Sequence, residues 1–102
     1  MQDISVNELK KKLDDADDFI FIDVREQHEY DDFNLGATLI PLNVLPTRIE
    51  EFKPHIDKEI VFHCRSGSRS GVAKTLFERS GFTKVRNLTG GVLAWKKEFF
   101  ED

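Results

Sequence analysis

The sequence has one cysteine, at position 64. That excludes an intramolecular disulfide and fits a reducing compartment. No apolar run approaches the length of a signal-peptide core or a membrane span, so the expected location is cytoplasmic with no membrane partner. The 15 basic residues against 19 acidic ones form no basic stripe with interleaved aromatics, and no nucleic-acid partner is expected. Repeats, low-complexity segments and linkers are absent. A chain of 102 residues builds one core but not two, so residues 1–102 are read as a single domain. His28 and His55 have no metal-ligand spacing with Cys64 or with each other, and no metal site is expected. Gly90-Gly91 lacks both the lysine of a phosphate loop and the glycine pattern of a dinucleotide site, so no cofactor is expected either. The acidic run Asp14-Asp15-Ala16-Asp17-Asp18 reads as a solvated turn.

What is present alternates regularly. Ser5-Val6-Asn7-Glu8 is a capping box with Ile4 and Leu9 as its hydrophobic staple, and predicts a helix from Val6 to Leu13 with Val6, Leu9 and Leu13 on one face. Phe19-Ile20-Phe21-Ile22 is apolar at every position, the mark of a strand covered on both sides. A helix is expected from Glu26 to Phe33, a short strand at Leu39-Ile40-Pro41, and a helix opened by Pro46 with Leu45, Ile49 and Phe52 sharing a face. Glu59-Ile60-Val61-Phe62 is a further buried strand. Arg69 to Arg79 follows as a helix with Val72, Ala73, Leu76 and Phe77 inward, stopped by Gly81. A last strand at Lys84 to Leu88 leads through a flexible turn, Thr89-Gly90-Gly91, into a helix whose Trp95 and Phe99 face the core. This pattern predicts a doubly wound, mostly parallel, five-stranded α/β sheet with helices on both faces.

The stretch around Cys64 carries the chemistry. The cysteine stands between a strand and a helix, and the following residues, Arg65, Ser66, Gly67, Ser68, Arg69 and Ser70, are small, polar or cationic. A loop in that position turns its N–H groups inward and adds the positive end of the helix dipole, which makes an anion cradle. A thiolate held there, with Arg65 and Arg69 close in sequence, is expected to have a lowered pKa and to act as a nucleophile. A lone cysteine is often only a small buried hydrophobe. Such a residue has no use for two arginines, three serines and a glycine in the next few positions. Asp23 and Arg25 end an earlier strand on the same side of the sheet. They are read as a supporting pair, the aspartate capping the following helix and the arginine bridging beneath the loop. His63 precedes the nucleophile, but successive strand side chains point to opposite faces, so it is read as structural and not as a base for Cys64.

The segment Cys64-Arg65-Ser66-Gly67-Ser68-Arg69-Ser70 resembles the active-site loop of the rhodanese sulfurtransferases. Asp23-Val24-Arg25-Glu26, Gly36-Ala37 with Pro41, and Gly90-Gly91 with Trp95 resemble that family's other signatures, in the same order and over nearly the whole chain. The resemblance implies a rhodanese-like fold. It also implies transfer of a sulfane sulfur from thiosulfate, a polysulfide or a persulfide to a thiol or cyanide, through a persulfide on Cys64. Two departures concern the donor. The two-domain thiosulfate enzymes of the family carry basic residues where this chain has Glu29 and Ser66. At the mouth Glu29 would repel a dianion, which weighs against thiosulfate, with Arg65 and Arg69 as compensating charges. Phe33-Asn34-Leu35 also replaces the Gly-His-Ile of many members, so that segment offers no imidazole.

Two other functions start from the same residues. Cysteine phosphatases and arsenate reductases also use a thiolate in an anion loop. By the family comparison their loop has five residues between cysteine and arginine, whereas Cys64 and Arg69 enclose four, a cradle that crowds a phosphoryl group. A non-catalytic sulfur-sensing or interaction module is the other reading, but relatives that lost activity usually lack the cysteine. With no second thiol in the chain, a persulfide must be discharged by an external acceptor such as glutathione or a thioredoxin-like protein. No long apolar run stands outside the core pattern, and a monomer is expected.

Overall fold

The computed structural model describes residues 1–100. Its elements run α1 (Val6–Asp14), β1 (Ile20–Asp23), α2 (Gln27–Asp32), β2 (Thr38–Leu39), a 3-10 helix (Leu45–His55), β3 (Ile60–His63), α3 (Ser68–Arg79), β4 (Val85–Asn87) and α4 (Gly91–Phe99). The strands form one sheet in the order β2-β1-β3-β4, every pair parallel. Four strands stand where five were expected. A fifth is reduced to a single bridge between Ile4 and Leu88, because α1 begins two residues after Ile4.

Residue alternation along the strands divides the interior into two layers. Ile20, Ile22, Ile60, Phe62 and Cys64 point to one face, where they meet α3 and the 3-10 helix; Phe77 packs there between Phe62 and Phe82, its ring centroid 4.9 and 4.7 Å from theirs. Phe19, Phe21 and Val61 point to the other face, where α1 and α4 cover them with Leu9, Trp95 and Phe99. All four residues of β3 are buried, as a central parallel strand requires. The bonus of this arrangement for function is positional: Asp23 pairs in register with His63, and Phe62 with Asn87, so the carboxyl ends of three strands finish together.

Local chemistry departs from expectation in three places. Ser5 accepts from the Glu8 N–H at 3.1 Å, but the Glu8 carboxylate leaves the capping box for Arg86, 2.7 Å away. Arg86 is buried and also binds Glu59 and the Gln2 carbonyl, so it ties the amino-terminal segment to the sheet. The segment after Pro46 winds as a 3-10 helix with Pro54 inside it, although Leu45, Ile49 and Phe52 do share the inward face. On α3, Val72 is 58% exposed. Ala73, Leu76 and Phe77 do face inward, with Ser70 joining them in place of Val72, because the helix is rotated to set Ser70 under Cys64.

Among the described residues no helix is long and apolar enough to cross a membrane. The acidic run after α1 is exposed, with Lys10 on Asp14, Lys11 on Asp15 and Lys58 on Asp18.

Candidate active site

Cys64 follows β3 directly and keeps the strand's alternation, so its side chain continues the Ile60-Phe62 face toward the start of α3. It is 1% exposed. Its sulfur is met by the Gly67 N–H at 3.1 Å, the Ser70 N–H at 3.4 Å and the Ser70 hydroxyl at 3.3 Å. Burial pushes the thiol pKa up, but the Ser70 hydroxyl and the N–H groups of Ser70, Gly67 and Ser66 outweigh it, and the net shift is downward. The lowering comes from the expected inward N–H groups and from the Ser70 hydroxyl; neither Arg65 nor Arg69 is among its main causes.

The loop is held in this shape by backbone on both sides. Gly67, the residue before α3, has φ of 103°, a left-handed value open to glycine. Behind the loop, the first N–H groups of α4 take the carbonyls: Val92 donates to Cys64 and Leu93 to Arg65, both at 3.0 Å. Those carbonyls point toward α4, which leaves the following N–H groups to face the sulfur. Gly91 makes the docking possible, since a Cβ there would lie 2.5 Å from the Cys64 carbonyl oxygen and 2.6 Å from that of Arg65. Gly90-Gly91 is thus a close-packing contact as well as a turn.

Beneath the loop, Asp23 and Arg25 form the expected pair. Arg25 Nη2 lies 2.8 Å from Asp23 Oδ2, its Nε also reaches the carboxylate, and its Nη2 donates to the Phe33 carbonyl. The capping role expected of Asp23 falls instead to Glu26, which forms a capping box with Glu29 at the start of α2. Asp23 turns inward because its carboxylate binds the Arg25 backbone and side chain.

His63 points to the opposite face from Cys64, with its ring against Phe21 and Nε2 3.5 Å from Asp23. Burial, helped by the Arg25 charge, brings its pKa down to about 4 despite Asp23, whose carboxylate already holds Arg25. A neutral imidazole on the far face of the sheet does not serve as a base for the thiol.

Arg69 does not approach the sulfur as an unpaired cation. Its Nη1 and Nη2 lie 2.7 and 2.9 Å from the two oxygens of Glu29, which this pairing takes down to about 2. Arg65, Ser66 and Ser68 are exposed; Arg65 shares a cavity of about 210 Å³ with Glu29, Phe33, Leu93 and Lys96, while Ser68 lines a groove along the outer side of α3 with Val72 and Leu76.

Two contributors were not singled out from sequence. Asn87, at the end of β4, accepts from the Ser70 hydroxyl and donates to the Gly67 carbonyl at 3.0 Å, so one amide braces both residues that grip the sulfur. A polar residue closing a strand whose end aligns with the nucleophile was its only signal. Glu29 was noted as a charge near the mouth but not as the partner of Arg69. Among the described residues no group of three or more His, Cys, Asp or Glu side chains is placed to hold a metal.

A parallel α/β sheet that ends its central strand in a buried thiol, met by two N–H groups and a hydroxyl, defines an α/β domain centred on one cysteine. A family model described as Rhodanese-like domain matches residues 5–98, and the chain belongs to that sulfur-transfer family. It is 31% identical over 98 residues to a sulfurtransferase of Allochromatium vinosum, covering 95% of this chain and 90% of that one. It is 33% identical over 100 residues to the probable adenylyltransferase/sulfurtransferase MoeZ of Mycobacterium tuberculosis, which covers 97% of this chain but only 26% of MoeZ. A rhodanese-like domain protein of Staphylococcus aureus superposes with a TM-score of 0.81 at 29% identity, over 93% of this chain and 91% of its own.

Proposed function

We propose that the chain is a sulfurtransferase that carries a sulfane sulfur on Cys64. The observation that carries this reading is the convergence of the Gly67 N–H, the Ser70 N–H and the Ser70 hydroxyl on one sulfur atom. Donors aimed at a thiolate favour it and lie ready for the negative charge of a persulfide that replaces it.

The two half-reactions follow. The Cys64 thiolate attacks the outer sulfur of a hydropersulfide R–S–SH; a new S–S bond forms, the donor's S–S bond breaks and RS⁻ leaves. With thiosulfate the same attack releases sulfite. An acceptor thiolate then attacks the outer sulfur of the Cys64 persulfide, takes it and returns the Cys64 thiolate. No net electron is gained or lost by the protein, so no redox cofactor enters the cycle. Cys64 is the only cysteine, hence the acceptor thiol comes from another molecule, such as glutathione or a thioredoxin-like protein.

Intact mass after brief exposure to thiosulfate or polysulfide tests the reading. Gain of one sulfur atom, reversed by a reducing agent and absent in Cys64→Ser, is the expected result. No gain with any sulfane donor sinks the proposal.

A further inference from the structure

Glu29 does more than cap the start of α2. Its carboxylate accepts the Glu26 N–H at 3.1 Å, which fixes it at the start of α2, and presents both oxygens to Arg69 in a bidentate grip. Arg69 is the residue immediately before Ser70, so its charge stands beside the cradle, and the Cys64 thiolate acts on it electrostatically. Paired in this way, the guanidinium adds little net field for an incoming anion. The space next to it has a different character. On the Arg69 side lies a cavity of about 380 Å³ lined by Val24, Leu42 and Asn43, with Glu26. Its apolar walls suit a carbon tail, which thiosulfate lacks.

We infer that Glu29 is a specificity-determining residue that cancels Arg69 and sets the Cys64 cradle for alkyl persulfides over the thiosulfate dianion. This rests on the sulfur-transfer reading above. Both donors place a sulfur at the thiolate; they differ in the charge carried next to it. With Arg69 paired to Glu29, only the exposed Arg65 of the loop is left to offset the second negative charge of thiosulfate, while an alkyl persulfide brings at most one charge and adds apolar contact with Val24 and Leu42.

The test is the rate at which Cys64 gains sulfur, read by intact mass in single turnover with thiosulfate and with a small alkyl persulfide that carries no ionisable group besides its S–SH. Glu29→Gln keeps the side-chain oxygen that accepts the Glu26 N–H but removes the charge. It should raise the thiosulfate-to-persulfide rate ratio by about five- to twentyfold. Arg69→Met, which leaves the Glu29 charge uncompensated, should lower the same ratio, so the inference does not depend on one variant folding. A purely architectural ion pair would slow both donors together and leave the ratio unmoved, which overturns the inference while leaving sulfur transfer in place. If neither donor loads Cys64 in the wild-type protein or in Glu29→Gln, the sulfur-transfer reading fails and this inference falls with it.

Discussion

Ser70 stands between Cys64 and Asn87 with one hydroxyl proton to give: its oxygen is 3.3 Å from the Cys64 sulfur and within hydrogen-bond distance of the Asn87 amide oxygen. Only one of the two receives the proton at a time. The nucleophile's reactivity is therefore set partly by a residue on another strand. Ser70→Ala should raise the Cys64 pKa and slow its alkylation by iodoacetamide at neutral pH several-fold. Asn87→Asp, which draws the Ser70 proton toward a carboxylate, should act in the same direction. Alkylation rates against pH decide this, and a profile unchanged in Ser70→Ala would remove the hydroxyl from the account.

Gly91→Ala should damage stability and reactivity together. The native φ of 58° is left-handed, and the added methyl would press on the Cys64 and Arg65 carbonyls. A cost of about 2–4 kcal/mol is expected, with slower alkylation of Cys64 because its loop must shift. Urea unfolding and alkylation measured on one sample check both. Full reactivity in the variant would show that α4 docking does not shape the cradle.

His63 makes the fold sensitive to acid. Its folded-state pKa of about 4 lies below the ordinary 6.5, so the unfolded chain binds the proton more readily between those values. The contribution is whole above pH 6.5 and is lost as pH falls toward 4, by up to about 3 kcal/mol. Replacing the imidazole in His63→Leu should flatten the stability profile across that window. Urea midpoints at pH 7 and pH 4.5 give the slope, and an equal slope in both proteins would assign the acid sensitivity to other groups.

Arg86 should matter for folding and not for chemistry. It joins Glu8, Glu59 and the Gln2 carbonyl on the face of the sheet opposite the Cys64 side chain. Arg86→Met is expected to lose about 2–3 kcal/mol while leaving Cys64 alkylation unaltered. A change in alkylation rate would contradict this separation.

The sequence by itself determined the order of helices and strands and the place of Cys64 between a strand and a helix. Apolar runs at Phe19–Ile22 and Ile60–Phe62 specify buried parallel strands, and a strand-loop-helix unit around Cys64 is local enough to read from its own residues. His63 facing away from Cys64 is equally local, since it follows from strand alternation. The tertiary structure alone decided which groups act on the sulfur and with what charge. Glu29 meets Arg69 across 40 positions, Asn87 reaches Ser70 across 17, and Gly91 touches the Cys64 carbonyl only because α4 returns behind the loop. The rotation that exposes Val72 belongs with them, because the helix turns to place Ser70 as well as its apolar residues. Local pattern records burial and turn geometry; strand register and helix docking choose the partners of each charge, and no window of sequence contains both members of such a pair.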